Sequence, residues 1–171
     1  ETFTGEITTA AQLAERLRDV IAEIRRPNSY DLRVGRLTDV GHIRQLNEDS
    51  LLTLELGRVH RSVGTPIGLY VVADGMGGHS AGDVASGLAI NALAQHAVAT
   101  LLPFEFDDGT SLLEIEAWLR EAINVANTTV HEQRKLAGTN MGTTLVMAYI
   151  ADGQAYIAHV GDSRAYLLNE A

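Results

Sequence analysis

Leu69-Tyr70-Val71-Val72-Ala73-Asp74-Gly75-Met76-Gly77-Gly78-His79-Ser80 is an apolar run that ends on a carboxylate and turns through three glycines. A continuous apolar run of this length reads as a strand buried in a sheet. Asp74 then stands at a strand end, where a partly buried carboxylate is costly without a cation or donors. Gly75, Gly77 and Gly78 let the backbone turn tightly and approach a ligand closely. Oxygen-only donors of this kind suit Mg²⁺ or Mn²⁺ rather than zinc or copper. The same residues also fit a plain strand–turn–helix connection in which the aspartate caps a turn. Two phosphate loops fail on spacing. A Walker A loop needs Lys and then Ser or Thr where Gly82 is followed by Asp83 and Val84, and a dinucleotide fingerprint needs glycine where Ser80 stands.

Outward from this stretch, Leu32, Val34 and Leu37 predict one strand, Leu51 to Leu56 a second, and Gly68 to Ala73 the third. Gly57 to Pro66 lacks periodicity and reads as a loop or hairpin tip. Ser80 with Asp83 opens a helix to about Leu102 along an Ala-rich face. Ser111 with Glu114 opens another, carried by Leu112, Ile115, Leu119, Ile123 and Val130 to about Leu136. Thr143 to Ala151 and Gln154 to Val160 alternate like strands around Asp152-Gly153, a hairpin signal, and Arg164 to Leu168 predicts a last strand. Thr9 with Gln12 starts an amphipathic helix through Leu13, Leu17, Val20, Ile21 and Ile24, ended by Pro27. Residues 1–30 therefore form an N-terminal extension and residues 31–171 the domain. Strands and helices come in blocks, which favours α+β with antiparallel sheet over βαβ alternation.

Composition narrows the chemistry. The 171 residues contain no cysteine, 13 Lys plus Arg and 22 Asp plus Glu, for a net charge of −9. Disulfides, Cys-ligated metals and thiolate nucleophiles are excluded. The acidic balance argues against nucleic acid and anionic membrane as partners. The longest uninterrupted apolar stretch, Leu145 to Ala151, is far short of a membrane span. No signal-peptide pattern is visible, so a cytoplasmic location is expected, although the chain begins at Glu1 rather than Met.

Two further segments are dense in polar residues. Arg44-Gln45-Leu46-Asn47-Glu48-Asp49-Ser50 offers a guanidinium suited to phosphate followed by an acidic pair, or else a solvated turn. Gly161-Asp162-Ser163-Arg164 puts another carboxylate at a strand end, or forms a bulge in which Asp162 pairs with Arg164.

Taken in order, Asp39-Val40-Gly41, Arg44 to Ser50, Asp74 to His79 with Gly82, Met141-Gly142-Thr143-Thr144, and His159 to Arg164 resemble the motifs of the metal-dependent, type 2C serine/threonine protein phosphatases. The Asp-Gly-Met-Gly-Gly-His form is similar to the bacterial members, and the likeness covers roughly residues 31 to 170. It implies an antiparallel β-sandwich flanked by helices, in four α-β-β-α layers, incomplete here at its C-terminus. It implies that Asp74 bridges two Mn²⁺ or Mg²⁺ ions, with the Gly75 carbonyl as a further ligand. Arg44 would bind phosphate, Glu48 and Asp49 would reach the metals mainly through water, and Asp162 would serve a third, weaker metal site. The implied reaction is hydrolysis of phosphoserine and phosphothreonine by metal-activated water.

Two departures from the family pattern stand out. Met76 occupies the place where some members carry a histidine after Asp-Gly, and His79, with Gly77 and Gly78, is read as part of the structural turn. No aspartate follows Asp162, whereas the family supplies two more metal-binding aspartates beyond that point. The resemblance thus implies an N-terminal piece of a longer phosphatase, inactive or weak alone, and leaves a non-catalytic pseudophosphatase or interaction fragment as the alternative. Implied partners are phosphoproteins, a Ser/Thr kinase or its targets, and a second copy pairing at an unfinished sheet edge.

Overall fold

The computed structural model describes residues 9–11, 13, 14, 16, 17, 32–60, 63–77, 81–101, 112–151 and 153–169. Its elements run β1 (Asp49–His60), β2 (Val63–Met76), α1 (Ala81–Leu101), α2 (Leu112–Ala137), β3 (Gly142–Thr143), β4 (Leu145–Ala151) and β5 (Gln154–Val160). The strands make an antiparallel sheet in the order β1-β2-β4-β5, and β3 adds to the end of β2 through Gly75↔Thr143 and Met76↔Gly142. The helices fall where their capping boxes and periodicity place them.

The β1–β2 ladder is longer than expected. It runs from Asp49↔Asp74 to His60↔Val63, so most of the segment read as a loop between Gly57 and Pro66 is paired strand. Val59, Val63 and Thr65 favour extended backbone. Pro66 is tolerated because β4 pairs with β2 only from Gly68 to Val72, leaving Pro66 beyond that ladder. Two predicted strands do not form. Residues 32–40 and 163–169 are irregular, since neither segment has a ladder partner among the described residues. Leu37 (91% exposed) and Leu168 (91%) accordingly stand in solvent. The first segment is anchored near β1 by Arg36, whose guanidinium donates to the Thr53 hydroxyl. Of the N-terminal helix, residues 10, 11, 13, 14, 16 and 17 are helical and the Leu13 amide donates to the Thr9 carbonyl at 3.1 Å. The rest of that expectation lies outside the described residues.

The period of two along each strand divides the sheet into unlike faces. Leu52, Leu54 and Leu56 of β1, Ile67, Leu69 and Val71 of β2, and Leu145, Met147 and Tyr149 of β4 face the helices. Against them α1 sets Ala85, Ala89, Leu93, Ala97 and Leu101, and α2 sets Ile115, Leu119, Ala122, Ala126 and Val130. The small side chains of Ala85, Ala89 and Ala97 in α1 and of Ala122 and Ala126 in α2 leave room for close helix packing. By length and composition α1 is apolar enough to cross a membrane, which the uninterrupted-run reading missed, yet one side of it packs in this core. A polar pin joins the layers, where the Ser86 hydroxyl, fully buried, lies 2.9 Å from that of Ser50 and donates to the Asp83 carbonyl at 3.2 Å. Trp118 of α2 stacks on His96 of α1 at 5.8 Å, meets Tyr149 of β4 at 5.7 Å, and donates its indole N–H to Thr100 at 2.8 Å. Among the described residues no helix covers the other face, which includes Leu51, Val72, Val146 and Ile157. The described residues thus build one helix layer and one sheet of the α+β arrangement.

The end of β2 is locked against the start of α1. A Cβ on Gly75 would come within 2.0 Å of the Gly82 carbonyl oxygen and 2.6 Å of that of Glu48. Both obstacles are backbone, so no side chain can yield.

Met147→Ala, at a fully buried centre of β4, is expected to cost about 2–5 kcal/mol in urea unfolding, against no more than about 0.5 kcal/mol for Leu167→Ala in the exposed tail. Gly75→Ala is expected to lose about 1–3 kcal/mol from overpacking alone, read from the same unfolding curves.

Candidate active site

Ala73 points into the core, so the strand period turns Asp74 to the opposite face at the very end of β2. Register then decides its neighbour. Asp49, the first residue of β1, is directly paired with Asp74. The backbone of Asp74 is held from the β3–β4 junction. Its amide donates to the Thr144 hydroxyl at 3.2 Å, and its carbonyl accepts from the Thr144 amide at 2.9 Å and the Thr143 hydroxyl at 3.0 Å. The next amide, of Gly75, donates to the Glu48 carbonyl at 3.0 Å. Gly77 follows with φ +149°, a conformation that side chains rarely adopt, as the turn reading requires.

The segment before β1 is organised by Asn47. Its side-chain oxygen accepts the Asp49 amide at 3.0 Å, and its side-chain nitrogen donates to Thr38 at 2.7 Å. Arg44 and Glu48, four residues apart, form an ion pair in which Glu48 is largely buried and Arg44 exposed. The far oxygen of Glu48 lies against Gly82, where a Cβ would meet it at 2.6 Å. The guanidinium thus sits at the mouth of the site with one side engaged and the other in solvent.

Arg44, Glu48, Asp74, Gly75, Gly77 and Asp162 line a single open cleft of about 660 Å³. Residues from the three polar segments therefore converge, and Asp49 joins them through its partner Asp74. Asp162 is not drawn into a bulge pair with Arg164 in any described contact; it faces the cleft from the end of β5. Gly78 and His79 lie outside the described residues. Met76, 60% exposed, stands at the rim. Thr144, Ser163 and Gly82 belong to the site's support although no role was read for them. The signal was present in the Thr-Thr pair and the Gly-Asp-Ser-Arg turn, but their meeting across 19 positions is a property of the fold.

The donors are all oxygen, which in kind fits a hard divalent cation. Two carboxylates face each other across a strand pair, an arrangement that repels itself without positive charge. Partial withdrawal from water, then the Asp74 carboxylate beside it, push the Asp49 carboxyl above its ordinary value, and Arg44 opposes them more weakly. The set is nevertheless small. Among the described residues no three His, Asp or Glu side chains gather closely enough to hold a metal, so water would have to complete the coordination.

A carboxyl whose pKa rises on folding destabilises the fold where it is ionised, and the penalty fades as pH falls through that raised pKa. Asp49→Asn is therefore expected to raise the melting temperature in EDTA at pH 7. The gain should vanish below the ordinary value of 3.8, where aspartate is protonated in both states. Melting curves at the two pH values check this.

Comparison with known proteins matches most of the chain to one family. The family model described as Protein phosphatase 2C matches residues 42–171. The chain is 43% identical over 136 residues to the serine/threonine phosphatase stp of Listeria monocytogenes, covering 77% of this chain and 48% of that protein. It is 35% identical over 138 residues to the protein phosphatase PhpP of Streptococcus pneumoniae, covering 80% and 50%. The solved serine/threonine phosphatase of S. agalactiae superposes with a TM-score of 0.55 at 32% identity, over 75% of this chain and 48% of that one. The chain spans about half the length of the curated relatives it matches. Relatives bearing the name of phosphatase favour that ancestry over a non-catalytic module. The chain belongs to the 2C-type protein phosphatase family, a metal-dependent family with an α+β fold of antiparallel sheet and helices.

Proposed function

We propose that this chain carries the phosphate- and cation-binding cleft of a hydrolase acting on phosphoserine and phosphothreonine in proteins. The observation that carries the reading is the convergence of Arg44, Asp74 and Asp162, from three distant segments, on one cleft. Arg44 would hold the phosphoryl oxygens, since its planar fork matches two of them and its charge offsets theirs. Binding phosphate there requires the guanidinium to share itself between Glu48 and the ligand. Glu48 then serves to hold Arg44 at the cleft mouth.

Asp74, the Gly75 carbonyl and Asp162 are the groups that would hold Mn²⁺ or Mg²⁺, with Glu48 and Asp49 contributing through water. More than one such cation, when bound, would supply Lewis acidity and a water acidified toward hydroxide. The chain's own part is to neutralise phosphate charge with Arg44 and to aim Asp74 from a fixed strand end. The absence of cysteine accords with direct attack by water, without a thiol intermediate. The phosphoproteins in question would be targets of a Ser/Thr kinase, an extension by analogy from the relatives.

The test combines binding and turnover. Calorimetry should show Mn²⁺ binding that Asp74→Asn removes. Phosphate release from a phosphothreonine peptide should require Mn²⁺, be slow, and fall about a hundredfold in Arg44→Ala, the scale expected for losing one charge-stabilising group. Metal-independent release, or a fully competent Asp74→Asn chain, would sink the proposal.

A further inference from the structure

Asp74 is held in place by a residue that carries none of the site's charge. Thr144 lies in the one-residue break between β3 and β4 and is buried, 8% exposed. A buried hydroxyl without partners is costly; this one is used twice. It accepts the Asp74 amide at 3.2 Å and lies 2.6 Å from the Ser163 hydroxyl. Because its oxygen already accepts from an amide, its own hydrogen is available to Ser163. The Thr144 amide also donates to the Asp74 carbonyl at 2.9 Å. The backbone of Asp74 is thus gripped on both sides by one residue, leaving the carboxylate only its own side-chain rotations.

The turn that carries Asp162 rests on the same residue. A Cβ on Gly161 would come within 2.8 Å of the Thr144 methyl carbon, so the turn is seated directly on it. Ser163, the residue after Asp162, closes the hydroxyl contact.

We propose that Thr144 and Ser163 are positioning residues, a pair of linked hydroxyls that fixes the strand end bearing Asp74 and sets the Asp162 turn relative to it. The proposal rests on the reading that Asp74 holds a divalent cation. It assigns the hydroxyl of Thr144 a role that its methyl group cannot fill. Filling space and accepting a proton donor are separable here. Valine keeps the shape of threonine and loses the hydroxyl, whereas serine keeps the hydroxyl and loses the methyl.

The experiment uses the full chain, Mn²⁺ as the probe, calorimetry for affinity and NMR hydrogen exchange at the Asp74 amide. Thr144→Val should weaken Mn²⁺ binding about tenfold, the lower end of what supporting residues around a metal contribute, and should speed exchange at Asp74 relative to its strand neighbours. Ser163→Ala, at a half-buried position, should act in the same direction to a smaller extent. Thr144→Ser should stay close to the unmodified chain in both measurements. Unchanged affinity and unchanged Asp74 exchange in Thr144→Val would overturn the proposal, as would Thr144→Ser losing as much as Thr144→Val. Asp74→Asn separates the two readings. If it binds Mn²⁺ like the unmodified chain, the cation assignment fails, while amide exchange in Thr144→Val still decides whether the hydroxyls hold the strand end.

Discussion

The register of β1 against β2 is the constraint on which the site depends. It sets Asp49 opposite Asp74, and like charges paired across strands repel. A slip of β1 by one residue would remove the repulsion and also turn Leu52, Leu54 and Leu56 away from the helices. The core therefore enforces a contact that the two carboxylates themselves oppose. Hydrophobic burial along the whole ladder outweighs a local electrostatic cost at its end, and the site retains a standing attraction for positive charge.

Around that end, the contacts that hold the site close on backbone groups. Gly75 is wedged between the carbonyls of Gly82 and Glu48, Asn47 holds the Asp49 amide, and Thr144 holds Asp74 on both sides. Charged groups reach the cleft from segments that are each fixed by hydrogen bonds before any ligand arrives. Preorganisation of this kind lets a small donor set act without first paying to order its own loops.

Much of this was legible in the residues. Capping boxes at Ser80 and Ser111 located the helices, and the apolar run 69–73 located the central strand. The ordered motifs identified the family, and with it the residues that meet in the cleft. The limits were physical. A strand exists only by pairing, so Leu32 to Leu37 and Arg164 to Leu168 show the composition of strands without a ladder partner among the described residues, while Gly57 to His60 pairs with Val63 to Pro66 despite its composition. Arg44 and Glu48 could have been matched by their spacing alone, as four residues separate them. The contact of Thr144 with Ser163 could not, because it exists only once β4 and β5 have closed their hairpin.

The aromatic cluster gives the molecule a built-in optical probe. Trp118 is the only tryptophan in the chain, and it sits where both helices meet the sheet, between His96 and Tyr149. Its emission colour and its quenching by the adjacent imidazole therefore report one event, the seating of the helix layer, without a label. Because the cleft lies at the strand ends, away from this cluster, a change in that light distinguishes loss of the scaffold from damage confined to the chemistry.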